Sequence, residues 1–141
     1  MKNYSLEKFP HNIPIFPLPG ALLLPDSKLP LNIFEPRYLE MVEDSLKSDS
    51  RFIGMIQPKK NEKIESAQSL HRVGCAGKIS SFSETDDGRY LITLKGISRF
   101  ELQDIEKEET SYVKGKVKWS KFENDLVPTS PIENFDRIEF L

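Results

Sequence analysis

The first 36 residues carry proline at positions 10, 14, 17, 19, 25, 30 and 36, which cut the apolar sequence into runs such as Ile13-Pro14-Ile15-Phe16 and Ala21-Leu22-Leu23-Leu24. Each ring fixes φ and removes an N–H, so a long helix is excluded and the segment is expected to form short, edge-type strands and extended turns. The first helix is predicted at Pro36, whose ring is preset for a first helical position, and runs to Lys47. Tyr38, Leu39, Val42 and Leu46, with Met41 adjoining, form its apolar stripe. Glu40, Glu43, Asp44 and Lys47 are expected to face water.

Beyond residue 50 the period changes to two. Residues 51–57 predict a strand, and after a polar loop at 58–66 another is predicted over 71–82, with Val73, Cys75 and Ile79 on one face. Gly74 and Gly77 suggest a bulge or a close backbone approach there. Asp86-Asp87-Gly88 predicts a tight hairpin turn, because Asp-Gly tolerates positive φ. A strand over 89–94 is then expected to break at Lys95-Gly96 before a further strand over 97–105. In the last strand, 111–119, Val113, Gly115, Val117 and Trp119 share a core face and Lys114, Lys116 and Lys118 the other. The order is short strands, helix, meandering strands, which reads as α+β with a mostly antiparallel, partly closed sheet.

Ser130-Pro131-Ile132-Glu133 has the form of a helix start, a hydroxyl cap followed by proline and an acid, and Ile132, Phe135 and Ile138 continue at helical spacing. Residues 1–125 are therefore expected to form the β domain, and 126–141 a linker and the start of a C-terminal helical subdomain. The pair Phe140-Leu141 carries no stop signal, so that subdomain is expected to continue beyond Leu141.

At 141 residues the chain has the size of one ordinary domain. With 22 acidic against 20 basic residues and a pI of about 5.8, it lacks the clustered cations that phosphate backbones require, so no nucleic-acid partner is expected. The longest apolar run, residues 21–24, is far too short to span a bilayer, and the N-terminus has no apolar signal core. No membrane association is expected, and the lone Cys75 fits a reducing, cytoplasmic compartment.

Catalytic patterns are incomplete throughout. Gly77-Lys78 is followed by Ile79 and lacks the earlier glycine of a phosphate loop; Gly96-Ile97-Ser98-Arg99-Phe100 lacks the second glycine of a nucleophile elbow. His11, His71 and Cys75 cannot compose a four-ligand zinc site. On a strand, His71 and Cys75 stand roughly 13 Å apart along the axis, too far for a thiol and its base. Cys75 reads as a core residue, Asp86 and Asp87 as turn formers, and the lysine row as a solvated sheet edge. No catalytic, cofactor-binding or metal-binding residue is expected, and no enzyme activity.

The specific part of the sequence is Ile15-Phe16-Pro17-Leu18, Leu24-Pro25 and Leu29-Pro30-Leu31-Asn32-Ile33-Phe34-Glu35-Pro36-Arg37-Tyr38. It resembles the hallmark of the Lon N-terminal domain family. Arg72-Val73-Gly74-Cys75-Ala76-Gly77-Lys78-Ile79, with Cys75 where threonine is usual, Asp87-Gly88-Arg89-Tyr90 and Lys95-Gly96-Ile97-Ser98-Arg99-Phe100 are similar to later family motifs. The resemblance implies a PUA-like pseudo-barrel, a strongly bent six-stranded sheet with one short helix. It also implies a non-catalytic substrate-recognition role, since neither the ATPase nor the protease module of Lon lies in this sequence. Unfolded or degron-bearing polypeptides are the expected partners, reached through apolar patches and exposed strand edges. A module that binds one folded partner is the alternative, and exposed apolar surface would permit weak self-association.

The hallmark residues Phe16, Pro17, Leu18, Phe34, Glu35, Pro36, Arg37 and Tyr38 are expected to be mainly architectural, with partner contact as a second role. Phe34 and Tyr38 would staple the helix to the sheet, Glu35 would sit favourably beside the helix N-terminus, and Arg37 would pair with an acid elsewhere.

Overall fold

A computed structural model describes residues 6–60, 64, 66–106 and 110–126 of the chain. Among them are six strands and one α-helix: β1 (Asn12–Pro17), β2 (Lys28–Ile33), α1 (Pro36–Lys47), β3 (Phe52–Ile56), β4 (Val73–Glu84), β5 (Tyr90–Glu106) and β6 (Val113–Lys118). Short 3-10 segments occupy Leu6–Lys8, Ala67–Ser69 and Ser120–Leu126. The helix start anticipated after residue 129 lies outside the described residues, as does most of the proposed 126–141 subdomain.

The sheet order is β2-β5-β4-β3-β1-β6, and β6 returns to pair with the second half of β5. That pairing closes β1, β3, β4, β5 and β6 into a barrel and leaves β2 attached outside it, on the first half of β5. Every pairing is antiparallel except β1 with β3. The strongly bent, mostly antiparallel six-stranded α+β architecture expected from the sequence is the one found.

Several local expectations change. β1, expected at an edge, is interior, with β3 on one side and β6 on the other. The register spares its prolines: Pro17 lies beyond the last β6 pair, Ile15 with Val113, and Pro14 precedes the first β3 pair, Ile15 with Gly54. Neither ring therefore removes a donor that a partner strand needs. The expected break at Lys95-Gly96 does not end the strand: β5 runs through it, with a register irregularity against β4 between Ala76/Ser98 and Gly77/Gly96. A Cβ on Gly96 would stand 1.9 Å from the Leu24 carbonyl oxygen, because the turn at 24–27 docks on it: Gly96 accepts from the Asp26 N–H at 2.9 Å and donates to the Ser27 carbonyl at 2.8 Å. Glycine here admits a neighbouring backbone without ending the strand.

The tight hairpin turn expected at 86–88 is found. Thr85 N–H donates to Arg89 C=O at 2.9 Å and Gly88 N–H to Thr85 C=O at 3.0 Å, and Gly88 has φ +85°. Asp86, Asp87 and Gly88 thus form a three-residue connection that ends in a left-handed glycine. Val73, expected on one strand face with Cys75 and Ile79, is exposed, while those two are buried. The lysine row is not an edge either, since β6 is paired on both sides. Its register sets Glu101, Asp104 and Glu106 of β5 opposite Lys118, Lys116 and Lys114, which balances the charge across the strands.

Two apolar clusters fill the fold. One surrounds Phe100, with Ile13, Ile15, Val117 and an aromatic group in which Trp119 lies 4.9 Å from Phe9 and 5.9 Å from Phe100 between ring centroids. The other joins Met41 and Val42 of α1 to Ile53, Met55, Ile79, Ile92 and Leu94. The helix spans the predicted residues, and its buried ones are Met41 and Val42, both anticipated, together with Ser45, while Tyr38, Leu39 and Leu46 are half-buried.

Candidate functional site

β1 ends in Phe16-Pro17 and continues as Leu18-Pro19, β2 ends at Ile33, and α1 begins at Pro36, directly after Phe34 and Glu35. These termini converge around one cleft of about 660 Å³, bordered also by Pro58, Lys60, Ile64 and residues 110–113. Seven of the eight hallmark residues line it, namely Phe16, Pro17, Leu18, Phe34, Glu35, Arg37 and Tyr38. Pro36 does not; it is exposed at the first position of α1, where its missing N–H costs no helical bond.

The roles within the hallmark differ from those expected. Tyr38 alone packs the helix start against the sheet, its ring 4.4 Å from that of Phe16 and tilted by 39°. Phe34 does not staple anything: it stands 65% exposed at the cleft. Arg37 pairs with Glu35, two residues away, at 3.0 Å, and lies 4.6 Å from the Tyr38 ring centroid. Both partners of that ion pair are about half exposed, so it contributes little to stability and chiefly orients the guanidinium over the ring. Glu35 occupies the N-cap position without a side-chain cap bond. Burial raises the Tyr38 hydroxyl above its ordinary range, with Arg37 opposing and Glu35 reinforcing the shift.

The cleft walls are braced by long-range hydrogen bonds that no local pattern announces. Gln57, just after β3, accepts from the Gly20 N–H at 3.1 Å and donates to the Ala21 carbonyl at 2.5 Å, which fixes the turn carrying Leu18 and Pro19. Of the acids of α1, Glu40 and Glu43 are exposed as expected and Asp44 is half-buried, and all three also accept hydrogen bonds from outside the helix. Ser111 donates to Glu40 at 2.6 Å, Tyr112 to Asp44 at 2.6 Å and Tyr90 to Glu43 at 2.5 Å. The bond to Glu43 is the largest cause that pushes the Tyr90 hydroxyl up to about 12, with burial next. Tyr112 is raised chiefly by burial and then by its bond to Asp44.

The remaining candidates sit elsewhere. Cys75 is buried in the core, and burial pushes its thiol up to about 12, so it stays protonated at neutral pH. His71 is exposed. Asp87 accepts from Thr85 and from Arg89, which holds its carboxyl below the usual range with the Thr85 bond as first cause. Among the described residues no group of three His, Cys, Asp or Glu side chains could hold a metal ion, and no helix is long and apolar enough to cross a membrane. What the cleft offers chemically is apolar and aromatic surface together with the polar residues Asn32, Glu35, Arg37, Lys60, Thr110 and Ser111, a mixture that suits a binding site.

Comparison with known proteins gives one direction. A family model described as the ATP-dependent protease La (LON) substrate-binding domain matches residues 12–138. Lon protease 1 of Bdellovibrio bacteriovorus is 29% identical over 90 residues, which cover 64% of this chain and 11% of that protein. The Lon protease of Syntrophus aciditrophicus is 25% identical over 124 residues, 85% of this chain and 15% of the relative. The chain therefore spans a small fraction of the length of these relatives. Among solved structures, the crystal structure of the Lon N-terminal domain protein from Xanthomonas campestris superposes with a TM-score of 0.61 at 29% identity, covering 77% of this chain and 59% of that one. The N-terminal domain of Mycobacterium avium complex Lon protease has the same TM-score at 13% identity, covers 84% of this chain and 56% of that chain, and supports the fold alone.

Proposed function

The chain belongs to the ATP-dependent protease La (LON) substrate-binding domain family, and from that premise we propose that it holds unfolded or degron-bearing polypeptides in the cleft between β1, β2 and α1, as a non-catalytic recognition domain serving protein quality control. The observation that carries this reading is Phe34. An aromatic ring 65% exposed beside apolar walls leaves surface whose burial a bound chain would complete, and full burial of such a side chain is worth about 1.5–3 kcal/mol. Phe16, Leu18 and Tyr38 supply the receiving surface, while Glu35 and Arg37 border it with opposite charges. Recognition of this kind favours apolar and aromatic segments over any one sequence, as suits partners met in the unfolded state.

The test uses a fluorescently labelled lactalbumin, reduced and carboxymethylated so that it cannot refold. The wild-type chain binds this probe, and Phe34→Ala weakens binding by about tenfold, equivalent to roughly 1.4 kcal/mol, with an unchanged thermal midpoint. Equal affinity in the variant removes Phe34 and the cleft from the reading. Failure to bind any unfolded probe, together with tight capture of one folded protein, would replace it with the adaptor function.

A further inference from the structure

Among the described residues, β2 is the one strand unpaired along the whole of one side: β5 flanks it, and no strand lies beyond. A free edge is a row of N–H and C=O groups open to any extended chain, and a second copy of the same protein is always at hand. The hydrogen-bond phase decides which groups β2 offers. Thr85 N–H donates to Arg89 C=O across the hairpin, so Arg89, Leu91 and Thr93 turn their backbone groups toward β4. The Thr93 carbonyl accepts the Ser80 hydroxyl of β4 at 3.1 Å, which fixes the same phase independently. Tyr90, Ile92 and Leu94 therefore face β2, where they meet Ile33, Leu31 and Leu29. Lys28, Pro30 and Asn32 face outward.

We infer that Pro30 guards this edge against pairing with a second copy of the chain. Two β2 strands related by a two-fold axis through Pro30 would set Lys28 of one copy opposite Asn32 of the other, with no like charges opposed. Their central pair would be Pro30 against Pro30, and neither residue has an N–H, so both bonds of that pair are lost and two rings crowd its centre. Pro30 is exposed, so core packing does not account for a ring here. Among the described residues, β4 beyond Ile79, whose N–H donates to the Arg51 carbonyl at 3.0 Å, also lacks a neighbouring strand on its β3 side, but a register shift between Ile79 and Ser81 distorts that short edge. β2 keeps an unbroken register with β5 and has no such irregularity.

Analytical ultracentrifugation of Pro30→Val over a wide concentration range tests the inference. The expected result is a concentration-dependent doubling of mass relative to the wild-type chain at the same concentration. Adding Asn32→Pro, which returns a residue without an N–H to the same edge, restores the wild-type mass. A folded Pro30→Val with wild-type mass, or a doubled mass that survives Asn32→Pro, overturns it. Amide exchange on the wild-type chain checks the geometry without any substitution: Asn32 N–H exchanges at a solvent-exposed rate while Leu31 N–H is protected, and the reverse order overturns the inference even where the variants fail to fold.

Discussion

Arg99 in the middle of β5 clasps Asp125 of the segment that follows β6: Nε meets Oδ2 at 3.0 Å, Nη2 meets Oδ1 at 2.9 Å, and the Arg99 backbone N–H also donates to Oδ2 at 2.9 Å. The Asp125 carboxylate is only 6% exposed, and the guanidinium lies 4.7 Å from the Phe122 ring centroid. A bidentate pair whose carboxylate is buried fixes the Ser120–Leu126 segment on β5. Asp125→Ala should destabilise the chain by about 1–3 kcal/mol, below the range for a fully buried pair because Arg99 remains about half exposed. Urea denaturation measures this, and a loss under about 0.5 kcal/mol would show that the clasp is dispensable.

Two glycines should respond differently to a side chain. At Gly96 a Cβ meets the Leu24 carbonyl oxygen at 1.9 Å, so Gly96→Ala must displace backbone and should cost more than about 3 kcal/mol. At Gly88 nothing lies within 4 Å and the constraint is φ +85° alone, so Gly88→Ala should cost about 1–2 kcal/mol. Thermal or urea unfolding of both variants gives the comparison, and equal losses would contradict the docking of the 24–27 turn.

The tyrosines of the described region should titrate late. The Tyr90 hydroxyl is raised to about 12, and Tyr38 and Tyr112 are also raised. A folded-state value above the unfolded one, about 10, means that the stabilisation is fully present below pH of about 10 and is lost as pH climbs through the folded-state values. Absorbance at 295 nm should therefore show fewer ionised tyrosines in the native chain at pH near 10.5 than in urea. Tyr90→Phe should remove the bond to Glu43 and shift the alkaline unfolding transition; matching curves for the two chains would exclude this link.

Phe34 and Phe100 should separate binding from folding. Phe100 is fully buried, and Phe100→Ala should cost about 3–5 kcal/mol. Phe34→Ala should stay within about 1 kcal/mol of wild type, because most of its ring already contacts water. Paired denaturation curves decide this, and a large loss at Phe34 would return it to an architectural role.

The family hallmark was legible in the sequence, and so were several features governed by local covalent constraint. Pro36 starts α1 because its ring is preset for a first helical turn, Gly88 takes positive φ where Asp-Gly asked for it, and Val113, Gly115, Val117 and Trp119 alternate against the lysines of β6. Tertiary structure decided what depends on partners far along the chain. Pro14 and Pro17 marked β1 as an edge, yet their register places both outside the ladder bonds that matter, so the strand sits inside the barrel. The hydrogen bonds that Glu40, Glu43 and Asp44 accept were not legible because their donors, Ser111, Tyr90 and Tyr112, lie 47 to 71 residues away. Phe34 has the composition of a core residue, and only the convergence of β1, β2 and α1 left it uncovered at the cleft. Backbone dihedral preferences and side-chain period act between neighbours and are written into the sequence. Which face becomes buried is settled by closure of the sheet, where β6 meets β5 and the whole chain selects what remains exposed.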